Sequence, residues 1–154
     1  HAFFFQVGAT SERLGHYEEA ERYFSKCLEL APDNVEALNY LGYMWAERGV
    51  HLEKVRVMIG RAVELEPENA AFLDSLAWVL FKLGDAEEAL APMLKAVELV
   101  EIDDPTLWDH LGDIYRALGQ TDQAREAWRK AMEVEPNEAI RRKLEPPPEE
   151  SEGP

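Results

Sequence analysis

The sequence predicts an all-α protein built from four similar helical hairpins. Glycine recurs with a nearly constant period at Gly15, Gly49, Gly84 and Gly119, which are 34, 35 and 35 residues apart. Apolar residues on both sides of these glycines are spaced as on one face of a helix, and glycine suits the residue that follows a helix end. Each period therefore predicts two helices joined by a turn, and the repetition predicts that the hairpins stack.

Small and large residues occupy the same register positions in all four units. The residue seven positions before each turn glycine is small. After the glycine, each unit has an alanine or valine, four residues later a large apolar residue, and three residues after that a second small residue. The four sets are Gly8, Gly42, Ala77 and Gly112; Ala20, Val55, Ala89 and Ala124; Phe24, Ile59, Met93 and Trp128; and Cys27, Ala62, Ala96 and Ala131. Because one hairpin cannot bury its apolar face alone, stacked neighbours should complete a shared core.

The units differ mainly where they end. Pro32, Pro67 and Pro136 close three of them, whereas the third runs into residues 100–104 without a proline. Pro92 falls inside the second helix of that unit, where it should bend the helix or remove one hydrogen bond. We expect a domain over residues 1–144, with repeats over about 1–34, 35–69, 70–104 and 105–138, a capping helix over 137–144, and an acidic, proline-rich tail over 145–154.

The repeat resembles the tetratricopeptide repeat family over residues 1 to about 138. The family pattern W-x2-L-G-x2-Y, A-x3-F and P is nearly complete in the fourth unit, as Trp108, Leu111, Gly112, Tyr115, Ala124, Trp128 and Pro136. The run LNYLGYMWAERGVHLEKV, residues 38–55, resembles a bacterial subgroup of the family with many exported members. The resemblance implies a right-handed α-solenoid, a concave groove lined by the first helix of every hairpin, and a non-enzymatic protein-binding scaffold.

Composition restricts the possible partners. The chain has 154 residues and a formal net charge of −15, which disfavours binding to nucleic acid and to anionic membrane surfaces. No apolar run is as long as a membrane-spanning helix, so we expect no direct membrane insertion. The single cysteine excludes an internal disulfide and leaves cytoplasmic and periplasmic locations open. Because the sequence opens without methionine, we expect it to be part of a longer protein, with any targeting segment outside this fragment.

The stretch WDHLGDIY contains the residue types of a catalytic or metal site. Asp109 and Asp113 share one face of a predicted helix, with His110 beside them. No other unit supplies further ligands at predictable places, and no phosphate-binding loop, paired-cysteine motif or H-E-x-x-H is present. Cys27 occupies the small inward position that is alanine in the other units, which indicates a buried structural thiol. We therefore expect no enzyme, no cofactor and no metal site.

The repeat register explains the same stretch as part of a binding groove. The resemblance implies that the second, fifth, sixth, ninth, twelfth and thirteenth positions of each first helix face the groove. The candidate groove residues are Asn39, Tyr40 and Tyr43 in the second unit, Asp74, Trp78 and Phe81 in the third, and Asp109, His110 and Asp113 in the fourth. An alternative is that the aromatic residues pack against neighbouring helices. We expect a peptide or protein ligand with an apolar anchor and at least one lysine or arginine.

The same register positions exclude one function of the family and leave another open. They lack the clamp of lysine, arginine and asparagine with which tetratricopeptide cochaperones hold acidic chaperone tails, and their aspartates would repel such a tail. The alternative to groove binding is a structural or self-association module of a larger protein that binds through its ends. Phe3, Phe4 and Phe5 predict an exposed apolar N-terminal edge, which would dock onto a preceding repeat of a longer protein or onto another copy of this chain.

Overall fold

The computed structural model describes residues 1–145, and within that range it consists of nine α-helices and their connections, without a strand. The helices are α1 (Ala2–Arg13), α2 (Tyr17–Leu30), α3 (Val35–Glu47), α4 (Leu52–Leu65), α5 (Ala70–Lys82), α6 (Ala86–Leu99), α7 (Pro105–Ala117), α8 (Thr121–Val134) and α9 (Glu138–Leu144). None of these helices combines the length and the apolar character needed to cross a membrane. The predicted all-α fold is confirmed.

Consecutive helices pack as hairpins, and the hairpins stack along the chain. α1 packs on α2, α3 on α4, α5 on α6 and α7 on α8, while α2, α4 and α6 each contact the first helix of the next hairpin. In addition, α3 contacts α5, and α5 contacts α7. The first helices therefore form one layer, which we call the inner face and which comprises α1, α3, α5 and α7.

Each hairpin turns at a glycine in the left-handed backbone conformation. Gly15, Gly49, Gly84 and Gly119 have φ angles of 76°, 66°, 91° and 73°. A side chain makes this conformation sterically costly, whereas glycine adopts it freely. This requirement explains why glycine recurs at the positions from which the hairpins were predicted.

Asparagine and aspartate side chains begin the helix after each inter-hairpin connection. Asn34, Asn69 and Asp104 precede α3, α5 and α7, and Asn137 precedes α9; each accepts hydrogen bonds from backbone N–H groups of the helix that follows. The bond from Ala37 N–H to Asn34 Oδ1 is 2.8 Å long. Such caps satisfy N–H groups that have no partner within the helix. The capping residue recurs at the same place in successive units, in addition to the small and large residues identified from the sequence.

The core lies between the two helices of each hairpin. The three register positions that follow each turn glycine are buried in every unit, and the buried set includes Cys27. Burial raises the pKa of the Cys27 thiol, as expected for a structural rather than a reactive cysteine. Pro92 is half-buried within α6, which continues through it as a helix.

The small residue before each turn sets how closely the two helices of a hairpin approach. A Cβ atom added to Gly42 would lie 2.7 Å from Ile59 Cγ1, and one added to Gly112 would overlap the Trp128 indole. In the third unit the position is alanine and the facing register residue is methionine, which is unbranched and adaptable. The register pairs are Gly8 with Phe24, Gly42 with Ile59, Ala77 with Met93, and Gly112 with Trp128.

A short helix covers the last hairpin where the sequence places a capping helix. Ile140 of α9 is buried and Leu144 is half-buried, in a cluster with Ala124, Trp128 and Ala131 of α8. The predicted acidic tail lies outside the described residues, apart from residue 145.

We expect Gly112→Ala to lower the free energy of unfolding by about 1–3 kcal/mol, because the added methyl group overlaps Trp128 in a tightly packed core. Gly60→Ala is the matched control. Gly60 lies within α4, where an added Cβ would meet no atom within 4 Å, so this change should stabilise the helix by about 0.5–1 kcal/mol. Urea unfolding measures both effects, and a Gly112→Ala variant as stable as the native chain would contradict the close contact.

Candidate functional site

The nine candidate groove residues lie on three neighbouring helices of the inner face and differ in exposure. α3 carries Asn39, Tyr40 and Tyr43, α5 carries Asp74, Trp78 and Phe81, and α7 carries Asp109, His110 and Asp113. The buried members are Asp74, Trp78, His110 and Asp113; Tyr40 is exposed and the other four are half-buried. The structure thus divides the set into a buried group and an accessible group.

Three buried members form a network that joins α3, α5 and α7. His110 Nδ1 lies 2.8 Å from Asp74 Oδ1, and the His110 imidazole stacks on the Trp78 indole with ring centroids 3.9 Å apart. Trp78 Nε1 donates a hydrogen bond to Glu47 at the end of α3. The buried imidazole and carboxylate satisfy each other. Within residues 1–145, no three His, Cys, Asp or Glu side chains are grouped so that they could hold a metal ion.

Trp78 forms part of the floor of the inner face. Only 8% of its surface is exposed, because the rings of His110 and Phe81 stack on it and the Lys82 ammonium lies 4.7 Å from its ring centroid. Such a ring fixes the shape of the surface but does not project from it. The surface of the inner face that is open to contact is therefore formed by the accessible members of the set.

A lysine of α9 occupies the acidic pair of the fourth unit. Lys143 Nζ lies 2.6 Å from Asp109 Oδ1 and 2.8 Å from Asp113 Oδ2. Arg116 Nη2 lies 3.2 Å from Asp113 Oδ1. Asp109 and Asp113 are four residues apart on one helix, so their negative charges repel each other, and partial burial makes both charges less favourable. Lys143 and Arg116 compensate these two charges. The two aspartates that were expected to face a basic ligand already hold a basic side chain of the same molecule.

One accessible part of the inner face lies at α1 and α3. A cavity of about 270 Å³ lies where these two helices end and α2 begins. Its lining residues are Glu12, Tyr17, Tyr43, Met44, Glu47 and Arg48. The cavity combines two aromatic rings with two carboxylates, which suits an apolar group or an organic cation.

Tyr43 lies in apolar and negatively charged surroundings. Burial raises the pKa of its phenol above the ordinary value of 10.0, and the carboxylates of Glu47, Asp74 and Asp104 raise that pKa further. Both causes disfavour an additional negative charge at this position. The same field favours a positive charge beside the ring.

Tyr40 extends the accessible aromatic surface toward α1. Its ring stacks on that of Phe24 with centroids 5.5 Å apart and meets Phe5 edge-on at 5.7 Å, yet 41% of Tyr40 is exposed. Beside it, Asn39 Oδ1 is buried and has no hydrogen-bond partner among residues 1–145. Because this oxygen has almost no accessible surface, the group open to contact at this place is the Tyr40 ring.

The sequence identified Tyr43 but missed the other residues of the cavity. Glu12 and Glu47 occupy the twelfth and thirteenth positions of their units, so the register could have identified both. Tyr17 begins α2 and Arg48 follows the end of α3, and the register assigns neither to the inner face. Their participation follows from how the turn after α1 packs on α3.

Comparison with known families matches most of the chain. Residues 46–142 match a family model described as tetratricopeptide repeat, and residues 1–34 match a second model with the same description. The chain belongs to the tetratricopeptide repeat family. It is thus a protein-interaction scaffold in general terms, and scaffolds of this family are generally non-catalytic. No curated protein sequence matches the chain.

Solved structures of tetratricopeptide proteins have the same fold. MamA from Desulfovibrio magneticus is 24% identical with a TM-score of 0.72, over 86% of this chain and 73% of MamA. A thermophilic tetratricopeptide protein from Thermus thermophilus is 21% identical with a TM-score of 0.73, over 92% of this chain and 77% of its own. An O-GlcNAc transferase from Thermobaculum terrenum is 25% identical with a TM-score of 0.76, over 86% of this chain but only 25% of the enzyme. These similarities show that the matched parts share one fold with this chain.

We expect the phenol of Tyr43 to ionise well above the ordinary tyrosine pKa. Because its folded-state pKa is raised, the stability contributed by the neutral phenol is complete below about pH 10 and is lost as the pH rises through the folded-state pKa. Absorbance titration of tyrosinate checks this: Tyr43→Phe should remove the most alkaline step. Tyr17→Phe, on the same cavity wall, should leave that step in place. If Tyr43→Phe instead removed a titration step near the ordinary tyrosine pKa, the raised pKa would not belong to Tyr43.

Proposed function

We propose that this chain binds a peptide or a segment of a partner protein on its inner face, with the anchor of the ligand at the α1 and α3 end. The observation that carries the proposal is the accessible aromatic surface of α3. Tyr43 lines the cavity, and Tyr40, three residues earlier on the same helix face, is 41% exposed. Rigidly held aromatic side chains are common anchors of interfaces, since little ordering remains to be done on binding.

A ligand that carries a basic residue beside an apolar anchor fits the charges of this region. Glu12 and Glu47 both line the cavity. Arg48 also lines it, but its guanidinium is engaged by Glu21, with Nη1 3.1 Å from Oε2. The net charge of −15 would steer basic segments toward the chain. These charges support a preference for lysine or arginine in the ligand.

The α5 and α7 part of the inner face plays a different role in this proposal. The half-buried Phe81 and Asp109 lie along the path of the ligand and offer their accessible edges. The other candidate residues of these helices hold the surface rigid through contacts within the chain. Those supporting residues are Asp74, Trp78, His110 and Asp113.

Tyr40→Ala and Tyr43→Ala should each weaken peptide binding by about 2 kcal/mol or more, roughly thirtyfold, because truncation removes an anchor. The probe is a peptide selected on the native chain from a displayed random library, and calorimetry measures its affinity. Val57→Ala removes an exposed apolar side chain of α4, outside the inner face, and should leave the affinity unchanged. Circular dichroism checks that each variant is folded. Unchanged affinity in both tyrosine variants, or failure of the native chain to select any peptide, would sink the proposal.

The charged residues are tested in the same assay. Glu12→Gln combined with Glu47→Gln should slow association and flatten its dependence on salt concentration, since long-range attraction acts mainly on the rate of encounter. Glutamine retains the acceptor that Glu47 offers to the Trp78 indole. Glu87→Gln combined with Glu133→Gln is the control with equal charge change, at exposed positions of α6 and α8. If the association rates of the two double variants depended equally on salt concentration, Glu12 and Glu47 would not attract the ligand specifically, and this part of the proposal would be wrong.

An aromatic patch at the N-terminal edge favours self-association as a second candidate function. Phe3 is 70% exposed and meets Phe4 edge-on with ring centroids 5.5 Å apart. Phe4 in turn stacks on Tyr23 of α2 at 6.2 Å. We propose that a second copy of the chain covers this patch, which buries its apolar surface.

Light scattering across a range of protein concentrations tests self-association. The average mass of the native chain should rise with concentration, and Phe3→Ser should suppress the rise because it removes the most exposed ring of the patch. Val57→Ser, an equally polar change at an exposed position of α4, should behave as the native chain. A native chain that stays monomeric at every concentration would exclude this function for the edge.

A further inference from the structure

We propose that the surface beneath α9 is a second interaction site, which binds an amphipathic helix bearing an apolar residue and, three positions later, a lysine. α9 is the resident occupant of this site and can be exchanged for a partner helix of the same pattern. We call the site the α9 seat and define it by Asp109 and Asp113 of α7 with Arg125 and Trp128 of α8. The seat lies in the fourth hairpin, whereas Tyr40 and Tyr43 lie in the second. It shares Asp109 with the path proposed for the peptide, but the inference rests on the contacts of α9 and not on the proposed function.

The contacts of α9 show which features of a helix the seat recognises. Ile140 is 95% buried, in the cluster that contains Trp128. Lys143, on the same face of the helix, places Nζ 2.6 Å from Asp109 and 2.8 Å from Asp113. The C-terminal carbonyl of the helix, at Leu144, accepts a hydrogen bond of 2.8 Å from Arg125 Nη2. The seat therefore recognises an apolar side chain, an ammonium group and a helix C-terminus.

Departure of α9 would uncover apolar and charged groups of the seat, which a helical occupant covers. The Asp113 carboxylate is 90% buried and that of Asp109 is about three-quarters buried with α9 in place. Lys143 also lies over the Trp128 ring, with Nζ 5.9 Å from the centroid. Without Lys143, Arg116 would still pair with Asp113, but Asp109 would lose its contact with an ammonium group and the Trp128 ring would become more exposed. A partner helix with the same pattern would satisfy all of these groups.

α9 itself is weakly held. It has seven residues, fewer than the length at which an isolated helix is stable, and it packs mainly on α8. Glu135 and Asn137, which flank Pro136 in the connection to α8, are extended. Arg141 and Arg142 are exposed, and within residues 1–145 their ion pairs are with acidic residues of α9 or its end. Short, sparsely packed elements of this kind open before the rest of a structure.

The resident helix competes with any partner because its connection to α8 is short. Tethering by a short linker gives the resident an effective concentration in the millimolar range. A partner helix supplied at micromolar concentration therefore binds appreciably only when the resident is weakened. This competition provides a direct test in the full chain.

The probe is a fluorescent peptide of residues 135–145, which contains α9 and its connection, and anisotropy measures its binding to the full chain. The double variant Ile140→Ala, Lys143→Gln should bind the peptide at least tenfold more tightly than the native chain. Arg142→Gln changes the charge of α9 equally at an exposed position and should bind as the native chain does. A peptide carrying Lys143→Glu should not bind to any of the three. Equal binding to the double variant and the native chain, or no binding to either, would overturn the proposal.

Hydrogen exchange of the native chain gives a second test that needs no variant. The amides of residues 140–144 should exchange at least tenfold faster than those of residues 124–131, because α9 opens while α8 stays folded. Equal protection of the two helices would show that α9 leaves its seat only when the last hairpin unfolds. That result would contradict the proposal that a partner helix can replace α9. The variant Tyr40→Ala should alter neither measurement.

Discussion

The separation between the two helices of each hairpin is the constraint on which the rest of the structure depends. At Gly112 the backbone of α7 lies against the Trp128 indole of α8, and at Gly42 that of α3 lies against Ile59 of α4. A smaller gap would produce overlap and a larger one would leave a void, and both cost stability in a close-packed core. Because four hairpins repeat this geometry, their first helices come side by side and form the inner face.

The inner face couples neighbouring units through side chains that the core does not require. Asp74 and His110 are 36 residues apart and Glu47 and Trp78 are 31 apart, so each pair joins adjacent units. In a repeat protein, stability is approximately the sum of unit stabilities and nearest-neighbour interface terms. The Asp74–His110 and Glu47–Trp78 hydrogen bonds contribute to the interfaces between neighbouring units. They make the packing of neighbouring units depend on side-chain hydrogen bonds as well as on apolar contacts.

Local constraints explain why most of the fold could be predicted from the sequence. A left-handed turn requires glycine at Gly84 and its equivalents, and a close helix approach requires a small residue at Gly42, so both leave a periodic trace. The register also assigned candidate residues to the inner face. It could not predict that His110 and Asp74 bury each other, since burial depends on a contact between units. The pairing of Lys143 with Asp109 was missed for the same reason: the apolar pattern of α9 indicated a cap but not the direction of its lysine.

Under the proposed function, the distribution of satisfied groups and exposed rings indicates where a ligand would gain free energy on the inner face. On α5 and α7 the carboxylates have cations or an imidazole within hydrogen-bond distance, so a ligand there would have to replace an existing interaction. On α3, the ring of Tyr40 is partly in water. Covering that ring is a gain with no interaction to displace. Affinity should therefore arise mainly at α3, while α5 and α7 determine the shape that a ligand must fit.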